Sequence, residues 1–194
     1  MSTSFIIGNG KSRDGFDLEQ LRKHGTIYGC NALYRDFEPD FLVAIDEAII
    51  KEITHSDFDM EHFIVPPHEE QFEHPEFNPF TRLRSNAGMN AMIESIRAGN
   101  KELVCLGFDF IIQNELATDN MYAGTECYGK ETYTSLADGL RRAKYLDWFA
   151  DKHPGHTFRI ILPRIEKLTV HPFSSKNIRG MFLDELMSYL NTKA

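Results

Sequence analysis

Short runs of apolar residues recur along the chain, and most of them are continuous rather than alternating with polar positions. They are rich in Ile, Val and Phe and cover residues 4–7, 26–30, 41–45, 62–65, 102–106 and 157–162. A strand that is apolar at successive positions is buried on both faces, which is typical of a parallel sheet covered by helices on either side. The pattern therefore predicts six strands of a mainly parallel sheet.

Helical patterns lie between these strands. The segments predicted to be helical are 17–24, 47–53, 86–98 and 135–152. Gly99 follows the third of them and the Pro154-Gly155 pair follows the fourth, and both are common signals for the end of a helix. The alternation of strand and helix predicts an α/β fold, with one Rossmann-like domain over residues 1–194 and helices on both faces of the sheet.

Three segments do not follow this alternation. Residues 66–81 are rich in Pro, His, Glu and Phe, and residues 114–134 are polar with interspersed Tyr and Gly. Long irregular segments of a compact domain are often binding loops, so we predict that both border an active site. Residues 171–194 are predicted to form a loop and a short helix over 180–191, which packs against the domain or against a second copy in a homo-oligomer.

Composition limits the classes of function. The chain has 29 acidic and 21 basic residues, a formal net charge of −8 and no Lys/Arg-rich block, which argues against a broad surface for duplex nucleic acid. Cys30, Cys105 and Cys127 are far apart and form no CxxC pair, so they are predicted to be buried thiols in a reducing compartment rather than metal ligands. The chain shows no secretory pattern and no apolar stretch long enough to span a membrane, which predicts a cytoplasmic protein.

The first apolar run ends in a glycine-rich turn. Residues 5–7 are followed by Gly8-Asn9-Gly10-Lys11-Ser12. Backbone N–H groups of such a turn can receive an anion, often a nucleotide phosphate, although the third glycine of the dinucleotide motif and the spacing of a Walker loop are both missing. The alternative interpretation is a purely structural turn that ends a strand.

Polar residues also follow other predicted strands. They are Asn31 after the second strand, Asp46 after the third, and Gly107-Phe108-Asp109 after the fifth, while Arg84-Ser85-Asn86 precede the helix over 86–98. Because the carboxyl ends of parallel strands meet at one edge of the sheet, these residues are predicted to share one cleft. Ser85 or Asn86 is predicted to cap that helix, with Arg84 beside its positive end. In the alternative, Asn31 hydrogen-bonds neighbouring loops, Asp46 and Asp109 cap the helices or turns that follow them, and Arg84 forms a surface ion pair.

These segments resemble a known superfamily. FIIGNGKS at 5–12, GCNALY at 29–34 and PDFLVAID at 39–46 are similar to the start of bacterial sialyltransferases that modify lipo-oligosaccharide. They are equally similar to the 6-hydroxymethylpterin diphosphokinase-like, or DUF115-type, proteins. RSNAG at 84–88 and KELVCLGFDF at 101–110 resemble the second half of the same Rossmann-like core.

The resemblance implies roles for individual residues. Gly8, Asn9 and Gly10 would contact the phosphates of a donor nucleotide, and Asn31 would help to hold that donor. The turn from Arg84 through Ser85 and Asn86 would line the nucleotide pocket, and Gly107, Phe108 and Asp109 would lie beneath the base or ribose. Two departures stand out, because Lys11 replaces the family's proline and residues 122–130 lack the histidine that acts as the base of the sialyltransferases. Transfer from another nucleotide donor is therefore favoured over sialyl transfer.

The leading hypothesis is a nucleotide-dependent transferase, a small glycosyltransferase that uses a CMP- or UDP-type sugar donor and a small-molecule or glycan acceptor. Such an enzyme must stabilise a leaving phosphate and remove a proton from the acceptor. The candidates for the first task are the amides of residues 8–12, with Lys11, Ser12, Arg84, Tyr122 and Tyr128. The candidates for the base, or for holding a Mg²⁺ that bridges phosphates, are Asp46, Asp109 and Glu126.

Two alternatives stay open at this point. One is diphosphokinase-like transfer from ATP to a small heterocyclic alcohol, which is favoured if Asp46 and Asp109 converge on a metal ion. The other is a non-catalytic protein that binds or sequesters a nucleotide, which is favoured by the missing histidine. His68 and His74 lie in the 66–81 loop among acidic residues and are predicted to be solvated.

Overall fold

A seven-stranded sheet forms the centre of the molecule in the computed structural model, which describes residues 2–66, 85–113, 120–130 and 135–193. Its strands run in the spatial order β4-β3-β2-β1-β5-β6-β7, and every neighbouring pair is parallel. The strands are β1 Thr3–Ile7, β2 Thr26–Cys30, β3 Phe41–Val43, β4 Phe63–Ile64, β5 Glu102–Leu106, β6 Thr157–Leu162 and β7 Ile178–Phe182. The predicted α/β, Rossmann-like architecture is confirmed.

Helices cover both faces of this sheet. The α-helices of the described residues are α1 Glu47–Thr54, α2 Ala87–Arg97, α3 Leu136–Lys152 and α4 Leu186–Asn191. Three of them match the predicted helical segments closely, whereas the segment predicted over 17–24 is a 3-10 helix, Leu18–His24. None of the helices in the described ranges combines the length and the apolar character that crossing a membrane requires.

Successive residues of the strands face opposite layers of the core. Ile6 of β1 packs in the layer formed with α2 and α3, while its neighbours Phe5 and Ile7 pack in the layer formed with α1 and α4. All three are fully buried. This arrangement explains why the strands are apolar at every position instead of at every second one.

The C-terminal segment differs from its prediction. Ile178–Phe182 is a seventh strand beside β6, and the last helix begins at Leu186 rather than at residue 180. β7 is an edge strand in which Arg179 and Gly180 are exposed, so it lacks the continuous apolar run that identified the other strands. Residues 163–177, which connect β6 to β7, contain no helix that would have indicated a parallel crossover.

The strand order reverses between β1 and β5. The chain adds β2, β3 and β4 on one side of β1 and then places β5 on the other side, with Ile7 paired to Leu106 at the carboxyl edge. Two glycines meet there, since Gly8 N donates to Leu106 O at 2.8 Å and a Cβ on Gly8 would lie 2.6 Å from Gly107 O. Gly107 also has φ +72°, so any side chain at either position is disfavoured. Open α/β sheets bind their ligands outside such a reversal point.

Candidate functional site

A cleft of about 390 Å³ opens at this point, outside the carboxyl ends of the strands. Its walls come from the turns after β1, β2, β3 and β5, the start of α2, residues 120–130 and the first turns of α3. Most of the predicted site residues line it, namely Gly8, Asn9, Gly10, Asn31, Asp46, Ser85, Asn86, Gly107, Phe108, Asp109 and Tyr128. The predicted convergence of separate strand ends on one cleft is therefore present in the structure.

Other predicted residues lie elsewhere. Lys11, Ser12, Tyr122 and Glu126 do not line the cleft. Arg84 lies outside the described residues, as do His68, His74 and most of the predicted 66–81 loop. Of the predicted 114–134 loop, residues 120–130 are described, and they contribute Asn120, Cys127 and Tyr128 to the wall.

The glycine turn uses most of its amides within the protein. Gly8 N donates to Leu106 O at 2.8 Å, Gly10 N donates to Gly107 O at 3.0 Å, and Ser12 N donates to Asp109 Oδ2 at 2.9 Å. The three amides, which were predicted to receive an anion, are therefore engaged by partners within the protein. The reason is the reversal of strand order, which presses the turn after β1 against the turn after β5.

Asp109 holds this turn in place. Its two oxygens accept hydrogen bonds from the backbone N–H and the hydroxyl of Ser12, and the residue is 8% exposed. Burial raises the pKa of this carboxyl, while the hydrogen bonds from Ser12 act in the opposite direction. Among the three predicted acids, Asp109 is thus the one whose carboxylate oxygens already accept hydrogen bonds from within the protein.

Asp46 differs from Asp109 in its hydrogen bonding. It occupies the residue before α1, but its side chain makes no capping hydrogen bond, and it is exposed on the cleft wall. The alternative that Asp46 caps the following helix with its side chain is therefore wrong. The third acid, Glu126, is exposed and away from the wall, and its backbone oxygen accepts from Arg35 Nη2 at 2.9 Å.

Two asparagines present unsatisfied acceptors at the cleft. The Oδ1 atoms of Asn9 and Asn31 are buried and have no hydrogen-bond partner among the described residues. Asn31 directly follows β2 with φ +51°, a left-handed conformation that asparagine tolerates better than most residues. Buried acceptors without donors are rare in folded proteins, and a bound ligand is one common reason for them.

The two predicted tyrosines have different positions. Tyr128 lines the cleft and its hydroxyl accepts from Asn9 Nδ2 at 3.2 Å, whereas Tyr122 is buried below the turn and its hydroxyl accepts from Arg13 Nη2 at 3.3 Å. Burial raises the pKa of Tyr122 to about 12. Burial and then the nearby Asp46 charge also raise the pKa of Tyr128, so its hydroxyl stays protonated at neutral pH and can donate a hydrogen bond.

Residues 120–130 form a strap across one side of the cleft. Met121 N donates to Asn9 O at 2.8 Å, which joins the strap to the glycine turn. Arg35 pairs with Glu52 in a two-pronged contact at 2.7 and 2.6 Å, and the same guanidinium donates to Thr125 Oγ1 at 2.7 Å. Arg35 and Glu52 were not predicted from the sequence, because nothing in their spacing links them to strap residues that lie 90 positions from Arg35 and 75 from Glu52.

Helices α2 and α3 form the other side. Asn86 Oδ1 accepts from Met89 N at 3.0 Å, which confirms the predicted cap, and a Cβ on Gly88 would lie 2.6 Å from Phe108 Cζ. Helix α3 adds Asp138 and Arg142 to the wall. Neither was predicted from the sequence, since charged residues in the first turns of a long amphipathic helix resemble an ordinary solvent-exposed face.

One cysteine differs from its prediction. Cys30 and Cys105 are buried as expected, but Cys127 is exposed in the strap, where Sγ lies 3.2 Å from Glu52 Oε2. It belongs to a turn rather than to a strand, so no core surrounds it. The described part of the chain brings no three His, Cys, Asp or Glu side chains together in a metal-binding arrangement.

Comparison of the chain with protein-family models, with curated proteins and with solved structures gives no match.

Proposed function

We propose that this protein is a nucleotide-dependent transferase that moves a sugar from a CMP- or UDP-type donor to a small-molecule or glycan acceptor. The observation that carries the proposal is the cleft at the reversal of strand order, in which two asparagine oxygens have no hydrogen-bond donor among the residues that the structure describes. A nucleoside supplies suitable donors through its ribose hydroxyls or an exocyclic amine. The left-handed Asn31 supports a ligand role, because strained residues that persist in a fold cluster at binding sites.

Asp46 is the proposed base. Of the other acids on the wall, Asp109 is hydrogen-bonded to Ser12 and Asp138 pairs with Arg142. Asp46 makes no capping bond, and its exposure gives an acceptor hydroxyl access to it. Tyr128, with its protonated hydroxyl nearby, can donate to the leaving phosphate. Asp109 supports the site indirectly by holding the turn of residues 8–12.

The same geometry weakens the diphosphokinase alternative. That reaction was favoured if Asp46 and Asp109 converged on a metal ion, but both Asp109 oxygens already accept hydrogen bonds from Ser12, which leaves this carboxylate fewer acceptor sites for a cation. We therefore keep the sugar-transfer proposal, with phosphoryl transfer and pure binding as the other outcomes of the test.

A thermal-shift panel of CMP, UDP, GDP and ATP, each with and without Mg²⁺, tests the proposal. A ligand that binds only the native state raises its melting temperature with ligand concentration. We expect a shift with CMP or UDP, and consumption of the matching sugar donor when an acceptor is supplied. A shift confined to ATP with Mg²⁺ would support phosphoryl transfer, and a shift without any donor consumption would support a binding protein. No shift with any nucleotide would refute the proposal.

A further inference from the structure

The charges on the cleft wall are unevenly distributed. The acidic lining residues are Asp46, Asp109 and Asp138, and among the lining residues that the structure describes Arg142 is the only cation. A phosphorylated ligand brings further negative charge into this space. Its binding therefore depends on where the cleft supplies positive charge.

The glycine turn is a poor source of that charge. Its amides at Gly8, Gly10 and Ser12 donate to the last residue of β5 and to the turn after it. Arg142 lines the same cleft from the second turn of α3. Guanidinium groups bind phosphate oxygens through two parallel N–H donors, which gives both strength and orientation.

Arg142 has a partner that a ligand can replace. Its Nη2 lies 3.4 Å from Asp138 Oδ2, one turn earlier on the same helix, and the two side chains are 24% and 28% exposed. Partly exposed pairs with this spacing contribute little to stability. An anion in the cleft can therefore compete with Asp138 for Arg142 Nη2.

We infer that Arg142 binds the phosphate of the nucleotide, which fixes the anionic end of the ligand against α3 and leaves the nucleoside to Asn9 and Asn31. The inference rests on the proposed function and adds the direction in which the ligand lies. It also gives Asp138 the role of an internal competitor that lowers affinity for the phosphate.

The chain offers a matched control for testing this. Arg141 is the neighbouring residue on α3, it also faces Asp138, at 4.0 Å, and it does not line the cleft. Arg141→Gln and Arg142→Gln thus remove the same charge from the same helix. Calorimetric titration with CMP, UDP, cytidine, uridine and inorganic pyrophosphate measures the effect of each.

We expect Arg142→Gln to weaken the tighter-binding nucleotide by about tenfold or more, as for loss of a charged hydrogen bond, and to leave its nucleoside unchanged. Arg141→Gln should change the nucleotide affinity less than twofold. Asp138→Asn should raise nucleotide affinity, a change that loss of a merely structural pair would not produce.

The outcomes separate the two proposals. Equal nucleotide affinity in the Arg141 and Arg142 variants would overturn the inference and leave the proposed function intact. A fall in affinity with Asp138→Asn would also overturn it, because the pair would then act as a structural unit. If the wild-type protein binds pyrophosphate through Arg142 but neither nucleotide, the proposed function fails while the anion site stands.

Discussion

Two carboxylates on the cleft wall differ in their hydrogen bonding, and this difference is the basis of their proposed roles. Asp109 is buried and accepts from Ser12 through both oxygens, whereas Asp46 is exposed and does not cap α1. The sequence predicted that both lie at the sheet edge, because each follows a strand. It did not distinguish them, since the partner of Asp109 comes from a turn 97 residues earlier.

Asp46→Asn tests the proposed base. Asparagine is as good as aspartate at the residue before a helix, so the free energy of unfolding should change by less than about 0.5 kcal/mol. Loss of a general base should lower kcat by about 100-fold or more with little change in nucleotide affinity. The measurement is steady-state transfer with the donor identified by the thermal-shift panel, and unchanged kcat would rule out Asp46 as the base.

Two substitutions of Asp109 test whether its hydrogen bonds to Ser12 stabilise the fold. Asp109→Ala removes the acceptors for the Ser12 N–H and hydroxyl and should lower the free energy of unfolding by about 1–3 kcal/mol. Asp109→Asn can satisfy both groups, because the serine hydroxyl can rotate and accept from the amide, so it should retain most of the stability. Urea denaturation measures both. Equal loss in the two variants would contradict a purely hydrogen-bonding role.

The strap of residues 120–130 is held by contacts to two other elements of the fold, the turn after β2 and helix α1. The predicted binding loop does reach the cleft with Tyr128, as its aromatic and polar composition indicated. The contacts that fix it were not predictable, since Arg35 follows β2 and Glu52 lies in α1. Only the packing of α1 beside the turn after β2 brings the pair under the strap. Asp138 and Arg142 were not predicted for a similar reason. Whether a charged side chain of α3 faces the cleft or the solvent depends on how the helix packs, which the sequence does not show.

Arg35→Gln should loosen the strap without melting the sheet. Loss of the contacts to Glu52 and Thr125 should raise amide hydrogen exchange across residues 120–130 by several-fold, while the exchange of β1 and β5 stays at the wild-type rate. Arg97→Gln is the control, because Arg97 pairs with Glu94 on the exposed side of α2. If both variants leave the strap equally protected, the Arg35 contacts do not hold it.

On the scale of the whole molecule, the sequence predicted the sheet well where strands are buried on both faces and missed the edge strand β7. The C-terminal helix that follows β7 is tied to the far edge of the sheet by Glu102, which is 3% exposed. Glu102 accepts from Arg159 Nη2 at 3.0 Å and also from Tyr189 and Lys193. This polar cluster lies at the amino end of β5, whereas the cleft lies at the carboxyl ends of the strands. The contacts that hold the C-terminal helix are therefore separate from the cleft.

The Glu102 cluster predicts a pH dependence of stability. Burial acts to raise the pKa of Glu102, but hydrogen bonds from Lys193, Tyr189 and Arg159 outweigh it and the pKa is lowered. The folded state therefore favours the ionised form, and its contribution is present above the unfolded pKa and lost as the pH falls through the folded one. Glu102→Gln should lower the free energy of unfolding by about 1–3 kcal/mol at pH 7. Its difference from wild type should shrink on acidification below about pH 4.3, and a difference that is constant with pH in urea denaturation would contradict this account.

The central claim is that a nucleotide binds in the cleft at the reversal of strand order. The most direct test is an amide NMR titration of the protein with the nucleotide that gives the largest thermal shift. The account predicts the largest shift changes around Asn9, Asn31 and Arg142, with smaller ones at residues 85–88 and 107–109 and in the strap. Changes confined to the Glu102 end of the molecule, with the amides around those three residues unaffected, would contradict it.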